Sequence, residues 1–505
     1  MTPSDASTGY TDADASSGLF HLNTLPAVQE VLAAVEDTCL APEWPRLAGS
    51  RIEQMASNDL LFSGGSAPRD VWAVSGLGAT VDASVVATGE PLSLIDLCSM
   101  TANTILGIND PWVKLKQAAY LLSDRPHYLT ARIGADLPYR VARRILHCFD
   151  EFGGPGEFVV NLRQCNGSDA VELALHAAWN AAAPTPGRDK LATFRGSYHG
   201  ENLTANWVSE HQPGGLLADG PDNVVFFPTP RTDDTGRLTA ATEATLEALD
   251  QAGADYFAVI IEPVQWRNSV HVIPFEFLHR LRDICTRHAI CLIFDEMQNA
   301  FGYTGTITFA QTSGICPDIA AISKAITSGH GPLAVMVARR AYREISGPFG
   351  AKSNSGNMLP LVAADAVLDR LLGMSPAEHQ ALPGWVPPGL TEELRTGVLT
   401  SAYPRSVALL DGLLGELRQR FGSLVGEPRG LGLIRGLVLC EADGGPSVRL
   451  AAAAAKVCLR YGVYVRQADT AVLVKPSLFL SESEIGAALD ALSRTFQEVL
   501  RIRDE

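Results

Sequence analysis

Between about residues 90 and 340, short apolar runs alternate with longer stretches of helical periodicity. Several runs are β-branched and nearly continuous, which is typical of parallel strands buried on both faces. The runs are EFVVNL, KLATF, NVVFF, YFAVIIEPV, ICLIFDEM, IAAIS and LAVMVA. This pattern predicts an α/β fold with a mainly parallel seven-stranded sheet flanked by helices. In such sheets the loops at the carboxyl ends of the strands build the ligand site.

The length of the chain, 505 residues, exceeds what one hydrophobic core supports, so we expect more than one domain. The first twenty residues are acidic and rich in Ser and Thr, which predicts a disordered tail over 1–25. We expect 26–90 to pack with a small domain, 91–360 to form the large cofactor-binding domain and 361–505 to form the small C-terminal α+β domain. The boundary is predicted inside an apolar helix at 359–372, which a Pro- and Gly-rich excursion at 373–395 follows.

Charge and cysteine usage exclude several classes of partner. The formal net charge of −16 disfavours nucleic acid and anionic membranes, and no apolar run reaches transmembrane length. The N-terminus lacks the basic and apolar regions of a signal peptide. The nine Cys residues form no CxxC pair and no metal-ligand spacing, so we expect reduced thiols, no metal site and a cytoplasmic protein.

Two ionisable residues follow predicted buried strands. Asp295 ends the run ICLIFD, where a carboxylate is costly unless a cation meets it, although an isolated aspartate there is often only a helix cap. Lys324 follows the run IAAIS, and a lysine beside a buried pocket loses affinity for its proton and becomes a nucleophile that can form a Schiff base. Taken singly, such a lysine is more often a solvated surface charge.

Two further segments add an anion site and an aromatic ring. In NLRQCNGSDAVELAL a strand leads into a helix whose first turn contains Gly167, Ser168 and Asp169, and the backbone N–H groups there can bind an anion. A plain capping motif explains that segment equally well. In TFRGSYHGEN, Tyr198 lies between small residues in a loop. The four segments together describe a pocket for pyridoxal phosphate.

The sequence resembles the class III aminotransferases, the ornithine and omega-amine group of fold type I pyridoxal-phosphate enzymes. The resemblance extends from roughly 90 to 500 and is carried by NGSDAVELAL, FRGSYHG, IIEPVQ, FDEMQNAFGYTG, SKAITSGHGPLAVMV, SNSGN and GLGLIRGL. It implies a homodimer that uses an amine or amino acid and a carbonyl acceptor.

The resemblance also implies roles for individual residues. Lys324 would carry the cofactor as a Schiff base and move the proton, while Asp295 would pair with the pyridinium nitrogen. The other implied cofactor contacts are Gly167 and Ser168 at the phosphate, Tyr198 and Met297 on the two ring faces, Gln298 at the phenolic oxygen, and His199 and Glu262 as supports. Ser353 would reach the cofactor of the neighbouring subunit, so the two sites of a dimer would be shared.

The chain departs from the family pattern where substrates enter. Relatives that use α-amino acids carry an arginine at the position of Leu473, so we expect Arg267 or Lys475 to receive a substrate carboxylate instead. Both could equally be solvated cations with a substrate that lacks a carboxylate.

The entrance also differs in shape and polarity. The glycine-rich stretch of relatives is replaced by SMTANTILGINDP, which puts Met100 and Asn103 at the entrance, and Tyr303 replaces the arginine of FGRTG. These changes predict an unusual substrate.

The sequence therefore predicts an aminotransferase. A racemase, epimerase or decarboxylase would need the same core residues and remains an alternative at this point. A cofactor-free binding protein would have no use for Lys324 and Asp295 together, and a nicotinamide enzyme lacks its GxGxxG motif here.

Overall fold

The computed structural model describes residues 22–24, 26, 28–30, 71–183, 185–210, 221–344 and 350–505. The predicted tail at 1–25 therefore lies outside the described residues except for 22–24, and most of the 26–90 segment lies outside them too. In the described parts of the chain, no helix combines the length and the apolar character that a membrane span requires.

The strands fall into three main sheets and one short ribbon. They are β1 Val71–Leu77, β2 Thr80–Val85, β3 Pro91–Asp96, β4 Phe158–Gln164, β5 Lys190–Phe194, β6 Val224–Phe227, β7 Tyr256–Ile261, β8 Val264–Gln265, β9 His271–Val272, β10 Cys291–Asp295, β11 Ile319–Ile322, β12 Ala334–Arg339, β13 Val425–Leu431, β14 Ile434–Leu439, β15 Val463–Tyr464, β16 Arg466–Ala468 and β17 Ala471–Val474.

The helices of the described residues surround these sheets. They are α1 Pro111–Leu121, α2 Asp136–His147, α3 Gly167–Ala182, α4 Leu203–Trp207, α5 Ala240–Gln251, α6 Phe275–His288, α7 Phe309–Ser313, α8 Leu359–Leu372, α9 Pro376–Gln380, α10 Pro388–Thr396, α11 Ala402–Phe421, α12 Val448–Arg460 and α13 Glu482–Asp504. The residues Ser99–Ala102 form one further helical turn, whose positive φ angles make it left-handed.

The central sheet has seven strands in the order β4-β12-β11-β10-β7-β5-β6. It is parallel except for β12, which is antiparallel to both of its neighbours. All seven strands correspond to the apolar runs in the sequence, so the predicted α/β fold with a mainly parallel sheet is confirmed.

Side-chain alternation explains why the central strands are apolar throughout. Along β10, Cys291 and Ile293 pack in one cluster with residues of α3, while Leu292 and Phe294 pack in another cluster with residues of α6. Successive side chains of a strand point to opposite faces, so a sheet covered on both faces needs apolar residues at every position.

The described residues also form two smaller four-stranded sheets. Strands β13-β14-β17-β16 form an antiparallel sheet that packs with α11 and α12. Strands β1, β2 and β3 form another, in which β3 pairs in parallel with Val463–Tyr464 from the C-terminal part of the chain. The predicted helix at 359–372 is α8, and the predicted excursion contains the two short helices α9 and α10.

Candidate active site

The N-terminus of α3 forms the first wall of the site, directly after β4. The Asn166 side chain accepts a hydrogen bond from the backbone N–H of Asp169 at 3.0 Å, and the Asp169 carboxylate accepts one from the backbone N–H of Asn166 at 3.3 Å. This capping box fixes the start of the helix. The backbone N–H groups of Gly167 and Ser168 belong to the first turn, have no acceptor within the helix and can bind an anion.

Two glycines allow the surrounding backbone to approach this turn closely. Gly200 has a φ of +131°, and a Cβ there would lie 2.3 Å from Ser168 Oγ. A Cβ on Gly167 would lie 2.8 Å from Met297 Sδ. Side chains at these two positions would fill the cradle that the helix terminus opens onto.

Asp295 closes β10 and is held by a histidine. Its Oδ2 lies 2.8 Å from His199 Nδ1, and its Oδ1 accepts a hydrogen bond from the backbone N–H of Met297 at 3.1 Å. The backbone N–H of His199 in turn donates to Ser209 Oγ at 2.7 Å. Because Asp295 and His199 are both buried, these contacts fix the carboxylate in one orientation.

Glu262 follows β7, the neighbouring strand, and supports Tyr198. Its Oε2 accepts a hydrogen bond from the backbone N–H of Tyr198 at 2.8 Å. Burial raises the pKa of Glu262 well above its ordinary value, and the negative charge of Asp295 raises it further. Folding therefore favours the protonated form of this carboxyl.

Lys324 follows β11 and has a left-handed backbone conformation with φ +53°. A non-glycine residue pays strain energy for such a conformation, and strain of this kind is common at functional sites. Burial lowers the pKa of the Lys324 amine, Asp295 and Glu262 oppose that shift, and Arg466 and Arg267 reinforce it. A lowered pKa increases the fraction of the neutral, nucleophilic amine.

Aromatic rings and guanidinium groups form the rim of the site. The Cζ of Arg267 lies 4.2 Å from the ring centroid of Tyr198 and 5.1 Å from that of Trp266. The Cζ of Arg466 lies 5.5 Å from the Trp266 ring, and its Nη1 donates to Thr101 Oγ1 at 3.1 Å. The contacts of both cations are thus with rings and a hydroxyl group.

The left-handed turn Ser99–Ala102 brings the entrance stretch against this rim. All four of its residues have positive φ values, between 43° and 69°. The carboxylate of Asp96 accepts hydrogen bonds from the backbone N–H groups of Cys98 at 2.8 Å and Met100 at 2.7 Å. A buried carboxylate thus holds a turn that non-glycine residues adopt at a cost.

Most of the predicted site residues meet around one cavity of about 350 Å³, which we call the Lys324 cavity. The predicted residues among its lining are Gly167, Ser168, Tyr198, His199, Glu262, Arg267, Asp295, Met297, Gln298 and Lys324. The lining also includes Thr101 of the entrance stretch, and five residues that the sequence did not single out, namely Asn166, Gly200, Glu201, Trp266 and Arg466.

Arg466 could have been found from the hairpin around Asp469 and Thr470. The tight turn pairs Ala468 with Ala471 and thereby Arg466 with Leu473, the position where relatives carry arginine. Directly opposed residues of an antiparallel pair project on the same face of the sheet.

Three predicted residues lie elsewhere. Asn103 lines a neighbouring cavity of about 810 Å³, which shares Gly167 and Lys324 with the first, and its side chain donates to the Met100 carbonyl at 2.7 Å. Ser353 is exposed and does not line the Lys324 cavity. Lys475 is completely buried, with its Nζ 2.6 Å from the Gln298 backbone oxygen and 3.0 Å from Gln298 Oε1.

The residues of the Lys324 cavity fit pyridoxal phosphate. The N-terminus of α3 suits its phosphate, Asp295 suits its pyridinium nitrogen and Lys324 suits its aldehyde. Gln298 Nε2 is buried and has no hydrogen-bond partner among the described residues, so a donor is available for an oxygen of the ring. A buried amide nitrogen without an acceptor is costly, and a bound acceptor would remove that cost.

Comparisons with known proteins give the same assignment. A family model described as aminotransferase class-III matches residues 81–379. Acetylornithine aminotransferase of Brucella melitensis is 28% identical over 274 residues, which are 54% of this chain and 59% of that protein, so the match spans about three fifths of this relative. Adenosylmethionine-8-amino-7-oxononanoate aminotransferase of Geobacter sulfurreducens is 30% identical over 370 residues, covering 66% of this chain and 74% of that protein.

A solved structure extends the likeness over most of the chain. The amine transaminase of an uncultivated Pseudomonas species, in a form with bound pyridoxal phosphate, superposes with a TM-score of 0.69 at 25% identity. The superposition covers 87% of this chain and 99% of that one. Since the family model matches more than half of the 505 residues, the chain belongs to the class-III aminotransferase family.

Proposed function

We propose that this chain is a pyridoxal-phosphate-dependent aminotransferase that moves an amino group from an amine or amino acid to a carbonyl acceptor. One observation carries the proposal. Lys324, an amine whose pKa burial lowers, shares a buried cavity with the Asp295–His199 pair and the N-terminus of α3. The family membership of the chain supports the same activity.

Each residue of the Lys324 cavity has its own role in the proposed reaction. Bound pyridoxal phosphate supplies an aldehyde that links covalently to amines and a ring that accepts electrons. The neutral amine of Lys324 acts as nucleophile and as carrier of the substrate proton. Asp295, oriented by His199 at 2.8 Å, would place a negative charge at the ring nitrogen. Tyr198 and Met297, which line the same cavity, would contact the ring and exclude water.

We place the substrate's anionic group at the rim, on Arg267. Arg267 lines the Lys324 cavity and lies over the ring of Tyr198. Arg466 lies across the strand from Leu473 and borders the same cavity, so it supplies a second guanidinium group there. Guanidinium groups bind carboxylates through paired hydrogen bonds. The proposed donors and acceptors therefore carry a carboxylate, and Asn103 borders the path by which they enter.

We further propose a homodimer with shared sites. Ser353 is exposed, and Tyr128, which donates a hydrogen bond to its carbonyl oxygen, is 46% exposed. Tyr139, which is 70% exposed, lines a surface cleft together with Gly350 and Ala351 near this loop. An exposed hydroxyl beside exposed aromatic rings suits contact with a second copy of the chain.

We also place the protein in the cytoplasm. The eight cysteines of the described residues are all free thiols, which suits a reducing compartment.

A half-reaction tests the proposed activity. The purified holoprotein is given an amino donor without an acceptor, and the cofactor is then released and analysed by chromatography. An aminotransferase accumulates the aminated form of the cofactor in an amount equal to the sites, whereas a racemase or decarboxylase returns it as the aldehyde. Recovery of the aldehyde alone, with every donor offered, contradicts the proposal.

A further inference from the structure

Tyr303, a departure from the family pattern, meets Lys475 inside the protein. Tyr303 replaces the arginine of the FGRTG motif, and Lys475 lies in the segment VKPSL that follows β17. The Nζ of Lys475 lies 3.7 Å from the ring centroid of Tyr303, and both residues are buried. The ring that replaces the arginine of the motif is therefore in contact with the amine of a lysine from another part of the chain.

The backbone of Lys475 is tied to the entrance segment. Its N–H donates to the Leu97 carbonyl at 2.6 Å, and its own carbonyl accepts a hydrogen bond from Ser99 Oγ at 2.7 Å. Ser99 begins the left-handed turn at the rim. The lysine is thus fixed at both its main chain and its amine, which leaves the side chain little freedom to move toward the cavity.

The amine of Lys475 faces two oxygens of one residue. Its Nζ lies 2.6 Å from the backbone oxygen of Gln298 and 3.0 Å from Gln298 Oε1. Burial lowers the pKa of this amine, but its N–H groups donate in either protonation state. Donation to both oxygens stabilises the amide rotamer that points Oε1 toward Nζ. The amide nitrogen of Gln298 must then point the other way, where it is buried without a partner among the described residues.

That orientation matters because Gln298 lines the Lys324 cavity and Lys475 does not. We propose that Lys475 is a positioning residue that locks the Gln298 amide with its NH2 group toward the cofactor, where it donates to the phenolic oxygen of the ring. The inference rests on the proposed function, since it requires pyridoxal phosphate in that cavity. It replaces a role for Lys475 at the substrate, because an amine with no exposed surface cannot meet a substrate carboxylate.

The lock has a consequence for the charge of the site. Removing the Lys475 amine lets the Gln298 amide rotate, so the phenolic oxygen of the bound cofactor would lose a hydrogen-bond donor. An oxygen without that donor is a stronger acceptor for the proton on the nitrogen that joins Lys324 to the cofactor, so that nitrogen would hold its proton more readily. The pH at which the visible absorbance of the bound cofactor titrates should therefore rise.

The test compares Lys475→Met, Gln298→Ala and the double variant, all as holoproteins. Cofactor affinity is measured by equilibrium dialysis, and the absorbance titration gives the second readout. We expect each single variant to weaken cofactor binding by about tenfold and to raise the titration midpoint. The double variant should be no weaker than Gln298→Ala within about twofold, because both single changes remove the same hydrogen bond.

Two further variants guard against a purely structural effect. Lys456→Met removes an exposed lysine of α12 and should leave affinity and midpoint unchanged. Lys475→Arg keeps a charged donor and should retain more affinity than Lys475→Met. Wild-type affinity and midpoint in Lys475→Met, or losses that multiply in the double variant, overturn the proposal. Failure of both Lys475 variants to fold also overturns it, because the residue then serves the architecture rather than Gln298.

The outcomes for the wild-type protein separate this inference from the proposed function. A wild-type protein that binds no pyridoxal phosphate contradicts the proposed function itself. A wild-type protein that binds it, while Lys475→Met binds it equally well, contradicts only the positioning role.

Discussion

The floor and the rim of the Lys324 cavity differ in how far they follow the family pattern. The floor is made by the ends of β4, β7, β10 and β11, and its residues Asp295, Lys324 and Glu262 stand where the pattern places them. The rim is made by the left-handed turn, Arg267 and Arg466, and the chain departs from the pattern in the entrance stretch and at Leu473, which pairs with Arg466. We propose from this difference that the floor retains the chemistry of the family while the rim recognises a different substrate.

The two regions also differ in how the fold holds them. Floor residues follow buried central strands and are fixed by short hydrogen bonds such as His199 Nδ1 to Asp295 Oδ2. At the rim, the four residues from Ser99 to Ala102 keep a left-handed conformation that contacts with Asp96, Arg466 and Lys475 hold in place. A rim built from such contacts can change its specificity without disturbing the sheet.

The largest effect is expected at the floor. Asp295→Asn keeps the shape of the side chain but removes the negative charge that faces the ring nitrogen. We expect kcat to fall by about 100-fold or more, since the charge stabilises the transition state in a buried site. Steady-state kinetics provide the measurement, and Asp255→Asn, in a half-exposed ion pair with Lys190, serves as the matched control. A fall in kcat of less than about tenfold would contradict the proposed difference between the floor and the rim.

A smaller and selective effect is expected at the rim. Replacing both Arg267 and Arg466 with alanine should lower kcat/KM by about 100-fold for donors with a carboxylate, because each guanidinium loses charged hydrogen bonds. Simple amines of similar size should lose less than about threefold, since they make no such bonds. The measurement is kcat/KM for both donor classes in the wild-type and double-variant proteins. An equal loss for both classes would assign the arginines to the structure of the site.

The smallest effect is a pH dependence of stability at the rim. Burial raises the pKa of Asp96 from 3.8 to about 6, and the backbone N–H groups it accepts from oppose the shift. Between these values the folded protein holds a proton that the unfolded chain releases. The stability contributed by Asp96 is therefore present below about pH 4 and lost as the pH rises through about 6.

Asp96→Asn removes this titration. From about pH 4 to about pH 7 the free energy of unfolding of the variant should gain about 2 kcal/mol relative to that of the wild-type protein. Denaturant unfolding at a series of pH values measures the difference. If the free energies of unfolding of the two proteins change with pH in parallel, Asp96 does not make stability depend on pH.

The sequence predicted the floor better than the rim for a physical reason. Strands buried on both faces are apolar at nearly every position. YFAVII and CLIFD can therefore be predicted as strands from their own residues alone. The strand VGEPRGL (β13) contains charge, Gly and Pro and was not predicted. Its place depends on antiparallel pairing with β14, which no local pattern reveals.

The position of Lys475 differs from what the alternation of side chains along a strand predicts. The prediction placed it beside position 473 because side chains alternate along a strand, but β17 ends at Val474. Beyond that residue the alternation no longer applies, and the lysine enters the interior beneath Gln298. Arg466 was missed for the opposite reason, because its role follows from a cross-strand neighbour rather than from its own segment.

The attachment of the cofactor to Lys324 is tested most directly by reducing the holoprotein with borohydride and identifying the modified residue by peptide mass spectrometry. We expect one reduced pyridoxyl group, attached to Lys324, the buried amine of the floor. The buried amine of Lys475 should remain unmodified. Absence of any adduct on Lys324, or an adduct on Lys475 instead, would show that Lys324 does not carry the cofactor.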